Sequence, residues 1–153
     1  EPCPFDDLWD TKEVADALDV PLAFGEQETS LRRFAWLIEN NAAQVIQPDL
    51  QYTGGFIQCM KAARMAERAG MAVTPHVSGG FTSYNALLFC SVIPNAGHYH
   101  EYKGFGELGD YVNGGLAIKD GRVRIPEGPG LGIDGALLKR PDMETVFELK
   151  RQG

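Results

Sequence analysis

The sequence predicts a parallel β/α array, the second half of a (β/α)8 barrel of the TIM type. Three observations carry this. Short apolar runs alternate with helical patterns along most of the 153 residues. The residue just past each run is acidic or a histidine: Glu26, Asp49, His76 and Glu101. These residues lie 23, 27 and 25 positions apart, one strand-plus-helix unit each. Alternating units of this length imply parallel strands joined by right-handed crossovers. Four units are visible, half of the eight that close a barrel of roughly 250 residues. An open doubly wound sheet is the alternative, disfavoured because no GxGxxG turn follows any run.

Residues 12–18 place Val14, Ala15 and Leu18 on one helical face, and 21–25 read as a strand. Ser30 is a candidate N-cap for a helix to Asn40, with Leu31, Phe34, Ala35, Leu37 and Ile38 at amphipathic spacing. Residues 44–48 form the next strand. Gly54-Gly55 opens a helix over 56–69, closed by Gly70 and buried through Phe56, Ile57, Met60, Ala63 and Ala66. Strand 72–75, a helix over 83–92 and a short strand over 98–102 complete the rhythm. Beyond it, Asp120-Gly121 marks a hairpin between 116–118 and 123–125, and Gly128 to Gly132 reads as a loop.

A net charge of −7 and a pI near 4.9, without a Lys/Arg cluster, argue against nucleic acid and anionic membrane as partners. No apolar run approaches the about 20 residues of a membrane helix, and no signal-peptide pattern is present. Cys3, Cys59 and Cys90 form no CxxC and read as buried, reduced thiols of a cytoplasmic protein.

In a parallel array the residues past the strands share one end of the sheet. Glu26 there is either a hard oxygen ligand suited to Mg2+ or an acid favoured by the dipole of the next helix. Asp49 and His76 leave adjacent strands, about 4.8 Å apart, so they can hydrogen-bond. A carboxylate on Nδ1–H would fix the tautomer and prepare His76 as a general base; a purely structural pair is the alternative. Glu101 is either a donor to an oxyanion or a solvated acid. His98 and His100 receive no role, one of them being expected to pack. Gly54-Gly55 reads as a tight turn, and Gly79-Gly80 as a flexible loop at the mouth.

With these residues in place, the chain resembles the C-terminal half of the barrel domain of the enolase superfamily, in the mandelate racemase/muconate lactonizing enzyme branch. The resemblance rests on Glu1-Pro2, Gly25-Glu26, Gln47-Pro48-Asp49 with Gly54-Gly55, Pro75-His76, His100-Glu101 and Gly128 to Gly132, in family order. It implies Mg2+ as cofactor with Glu26 as one metal carboxylate, His76 and Asp49 as the His–Asp base, and Glu101 as the acid that hydrogen-bonds the enediolate or the substrate carboxylate. Glu1 would neighbour a further metal ligand. That ligand, another, a lysine base and a capping domain are expected upstream.

The implied reaction is Mg2+-dependent abstraction of the proton α to a carboxylate, most consistent with an acid-sugar dehydratase. A racemase or epimerase of a 2-hydroxy acid is the runner-up, and a non-catalytic carboxylate or metal binder the rival from another class. The expected partners are a small-molecule carboxylate and further copies of the chain. Alone, such a half-barrel is expected to leave open sheet edges, with Leu22, Phe24, Val45, Ile46 and Val73 supplying apolar surface near the gap.

Overall fold

The computed structural model describes residues 1–112, 116–125, 128, 130–142 and 144. They fall into two compact units, 1–106 and 107–153.

The first unit carries the β/α repeat. Helix α1 (Leu8–Ala17) begins four residues earlier than periodicity suggests, because Asp7 caps it: its Oδ1 accepts the Asp10 N–H at 3.0 Å. The helix ends at Ala17, so Leu18 is extended and exposed rather than on the buried face. Strand β1 (Ala23–Phe24) leads to α2 (Leu31–Glu39), where Ser30 caps as expected through its Oγ and the Arg32 N–H, 3.2 Å apart. Strand β2 (Val45–Ile46) precedes α3 (Gly55–Arg68). A Schellman turn closes α3: Gly70 N donates to Glu67 O and Met71 N to Ala66 O, with Gly70 at φ +71°. On α3, Cys59, Ala62, Ala63 and Ala66 form the buried stripe. Ile57, expected inside, is 73% exposed. Strand β3 (Ala72–Val73) is followed by α4 (Phe81–Val92), two residues longer at its start than expected.

The sheet order is β1-β2-β3, all parallel, with Phe24 opposite Ile46 and Ile46 opposite Val73. The fourth strand position differs from the expected 98–102. The parallel bridge to Val73 is made by Ala96, with Val73 N donating to Asn95 O and Gly97 N to Val73 O, both at 2.9 Å. Two interactions hold the chain in this register. The Asn95 amide donates to Ala63 O and Met71 O, and Gly97 passes so close to β3 that a Cβ would stand 2.4 Å from Thr74 Cγ2. Residues 98–105 carry no strand.

Each strand pairs one half-buried with one buried residue. The buried set, Phe24, Ile46 and Val73, packs with Phe34, Leu37, Ala62, Ala63, Ala66 and Phe89 in the helix-facing core. Each large apolar side chain so buried contributes about 1.5–3 kcal/mol. These three therefore do not line a gap, contrary to expectation. Of the five residues assigned there, Val45 alone is not fully buried, and Ala23 and Ala72 share its face of the sheet.

In the second unit, β4 (Ile118–Lys119) and β5 (Arg122–Val123) form the expected hairpin, with Asp120 and Gly121 both at positive φ. Pro129, part of the predicted loop, lies outside the described residues. No helix of the described residues is long and apolar enough to cross a membrane.

Candidate active site

Parallel register fixes where the chain leaves each strand. The β1–β2 ladder extends to Gln47, whose N–H donates to Phe24 O at 3.0 Å. The β2–β3 ladder extends through Thr74 N to Ile46 O and His76 N to Pro48 O. Pro48 and Pro75, both buried, then deliver Asp49 and His76 side by side.

Asp49 is 1% exposed, and both of its carboxylate oxygens are used. Oδ1 accepts the backbone N–H groups of Gln51 (2.6 Å) and Tyr52 (3.2 Å), and Oδ2 faces His76 Nδ1 at 2.8 Å. An ionised carboxylate only accepts, so Nδ1 carries the imidazole proton and Nε2 presents a lone pair. The sequence expected this pair, and the structure brings the two residues together.

Nε2 points at the other two acids. Glu26 Oε2 is 3.8 Å away and Glu101 Oε2 3.9 Å away. Glu26 follows Gly25, where φ is +120° and a Cβ would stand 2.9 Å from Phe34 Cε1, so only glycine suits this turn. The Glu1 carboxylate secures the turn: Oε1 accepts the N–H groups of Gly25 and Glu26, each at 3.0 Å. Glu26 lies outside the first turn of α2, which Ser30 caps, so the helix-dipole reading does not account for its position. The half-buried Glu26 carboxylate pairs with no Lys or Arg among the described residues. That suits a hard oxygen donor for Mg2+. It is a single donor: among the described residues no group of three or more His, Cys, Asp or Glu is arranged to hold a metal.

Glu101 reaches the site from a loop. Its Oε2 accepts the Val77 N–H at 3.0 Å, which ties the 98–105 segment to the turn after β3. The same segment brings in Lys103, which sequence reading missed. Its Nζ is 3.4 Å from His76 Nε2 and 3.8 Å from Glu101 Oε2. The available signal was its spacing, two residues beyond Glu101.

Other reactive side chains lie apart from this cluster. Burial pushes the Cys59 and Cys90 thiols up to about 12, so both are poor nucleophiles. Cys59 is buried as expected, whereas Cys3 and Cys90 are only partly so; all three are free. His98 and His100 are both exposed, so neither packs in the core; His100 Nδ1 lies 3.5 Å from Cys90 Sγ. Glu28, unmarked in the sequence, is fully buried and pairs with Arg33 Nε. Burial raises its carboxyl above the usual range, against the pull of Arg33.

Residues 1–136 match the family described as Enolase C-terminal domain-like. The chain is 35% identical over 128 residues to a D-galactonate dehydratase of Ralstonia pickettii, covering 75% of this chain and 32% of that protein. It is 29% identical over 133 residues to an arabinonate dehydratase of Saccharolobus solfataricus, covering 86% and 36%. Among solved structures, a mandelate racemase/muconate lactonizing enzyme-like protein from Roseovarius sp. superposes with a TM-score of 0.78 at 32% identity, over 99% of this chain and 39% of that one. An enolase-superfamily member from Salmonella Typhimurium gives 0.77 at 30%, over 92% and 37%. The chain thus spans about a third of the length of the curated relatives it matches. The family match over residues 1–136, together with these identities and superpositions, places the chain in the Enolase C-terminal domain-like family, within the mandelate racemase/muconate lactonizing enzyme branch of the enolase superfamily.

Proposed function

We propose that this chain supplies the His–Asp face of an active site that removes the proton α to a carboxylate, and that the reaction is dehydration of an acid sugar. The observation that carries the reading is the 2.8 Å contact between Asp49 Oδ2 and His76 Nδ1, which leaves Nε2 facing Glu26 and Glu101. Nε2 is then the atom that accepts the α-proton. Asp49 holds the tautomer and stabilises the imidazolium that forms. Glu101, tethered by Val77 N–H, borders the space where the substrate carboxylate would sit. Glu26 would hold Mg2+ as one oxygen ligand of several, and the bound cation would offset the charge developing on that carboxylate.

Dehydratase-named relatives of a sugar acid support elimination over the alternatives. Racemisation of a 2-hydroxy acid on the same scaffold is the second reading, favoured by the racemase-like structural relative. The test uses the protein at its full natural length with galactonate, arabinonate and other 2-hydroxy acids in D2O. Dehydration yields a 2-keto-3-deoxy acid; racemisation changes optical rotation without that product. Failure of every acid to exchange its α-proton would reject both readings in favour of a non-catalytic binder.

A further inference from the structure

Lys103 extends a cation into a cluster otherwise made of three carboxylates and the His76 imidazole. Among the described residues it is the one Lys or Arg that pairs with either His76 or Glu101. Its loop is held in place: Glu101 is tied to Val77 N–H, and the Lys103 carbonyl and Cβ lie within 4 Å of a Cβ built at Gly79. Yet the side chain is 48% exposed, and its contact to Nε2 is long at 3.4 Å. An ammonium so placed can turn from the imidazole to a substrate group.

Elimination needs what the dyad does not offer at the same moment. With Nδ1–H committed to Asp49, the one proton His76 gains at Nε2 is the proton from C2, which it holds for return to C3, so the departing hydroxyl needs a second donor. We propose that Lys103 is the general acid that protonates the leaving 3-hydroxyl. This assignment rests on the dehydration reading above and adds to it the residue that completes the reaction.

The step balances. The C2–H bond breaks and its proton goes to His76 Nε2. The C3–O bond breaks, and the oxygen takes a proton from Lys103 Nζ to leave as water, while the C2–C3 double bond of an enol forms. Ketonisation restores both groups: the imidazolium returns a proton to C3, and the enol hydroxyl gives its proton to the neutral amine. The products are a 2-keto-3-deoxy acid and one water. A lysine suits this cycle because its ammonium form donates a proton and the amine left behind can take one back.

The test compares Lys103→Met and Lys103→Arg with the unmutated full-length protein. Arginine keeps the charge but is never a usable acid in a protein. Both variants should lose dehydration by about 10²-fold or more, while exchange of the α-proton into recovered substrate in D2O stays near the unmutated rate. With a 3-deoxy-3-fluoro substrate, whose fluoride leaves without a proton, both should eliminate at near the unmutated rate. Exchange falling in step with dehydration, full dehydration by Lys103→Arg, or no rescue by the fluoro substrate would each overturn the assignment. His76→Asn abolishing exchange while Lys103→Met retains it separates the two roles. Absence of exchange in the unmutated protein would instead reject the proton-abstraction reading beneath, and the assignment with it.

Discussion

Asp49–His76 and Glu101–Lys103 stand at the same end of the sheet but are held there by different means. The first pair is carried by ladder hydrogen bonds that run to Pro48 and His76, and Asp49 is almost fully buried. The second pair hangs from an irregular loop, is 39% and 48% exposed, and is tied down by one hydrogen bond, Val77 N–H to Glu101. Backbone pairing fixes a side chain to within a rotamer, whereas a tethered loop fixes it to within a reach. A proton-abstracting base needs the former; groups that meet substrates of varied shape are served by the latter.

Substitutions can break or sharpen this contrast, and the largest effect should come from the proposed base. His76→Asn removes the acceptor while keeping polarity, so turnover and α-proton exchange should both fall by about 10²–10⁴-fold with the thermal midpoint little changed. Turnover at the unmutated rate would end the dyad assignment. Asp49→Asn should come close behind, for a geometric reason. The Gln51 and Tyr52 N–H groups claim one acceptor oxygen, which turns the Asn amide NH2 toward His76 Nδ1. The imidazole must then accept there and carry its proton on Nε2, where a lone pair is needed. A shift of the His76 ring-nitrogen NMR signals to the opposite tautomer would register this directly.

Glu26→Gln should lower Mg2+ affinity and turnover together, read by metal titration and by restoration of EDTA-treated protein with excess Mg2+. Unchanged binding would remove Glu26 from the ligand set. On the loop, Glu101→Gln retains an oxygen for Val77 N–H and loses only charge, so its cost should be nearer tenfold in kcat/KM. A loss as deep as that of His76→Asn would erase the distinction between ladder and loop.

The smallest effect concerns a buried acid outside the site. Asp49 has partners on both oxygens, but Glu28 Oε1 has none among the described residues. Burial raises the Glu28 carboxyl, so the folded protein holds that proton more tightly than the unfolded chain. The resulting stabilisation is complete below the unfolded pKa and fades as pH rises through the folded one. Denaturant melts across that window should show the unmutated protein losing stability relative to Glu28→Gln as pH increases; parallel profiles would contradict the raised value.

What was readable in the sequence follows the same divide. Helices α2 and α3 were legible because Ser30, Gly70 and their apolar stripes are local signals. Asp49, His76 and Glu26 were legible because each ends an apolar run and register does the rest. The fourth strand was misplaced at 98–102 because its position is set by long-range contacts, Asn95 to Ala63 and Met71, and Gly97 against Thr74. Lys103 was missed for the same reason: a loop's destination is not encoded in its periodicity. Ile57 and Leu18 show the limit of stripe reading at helix ends, where one residue of helix phase decides between core and solvent. The inner and outer faces of the strands could not be told apart in short apolar runs, so Phe24, Ile46 and Val73 were assigned to the wrong side.

The prolines that precede Asp49 and His76 have a consequence that no contact in the folded state records. Each locks its own φ and confines the residue before it, Gln47 or Thr74, to extended conformations. Those are the conformations that the two ladders require. The unfolded chain therefore has fewer states to surrender at just these two places, and the ordering of the dyad is partly settled by covalent structure. Replacing either proline with alanine would leave the Asp49–His76 contact drawn the same on paper, but would enlarge the denatured ensemble against which that contact must compete.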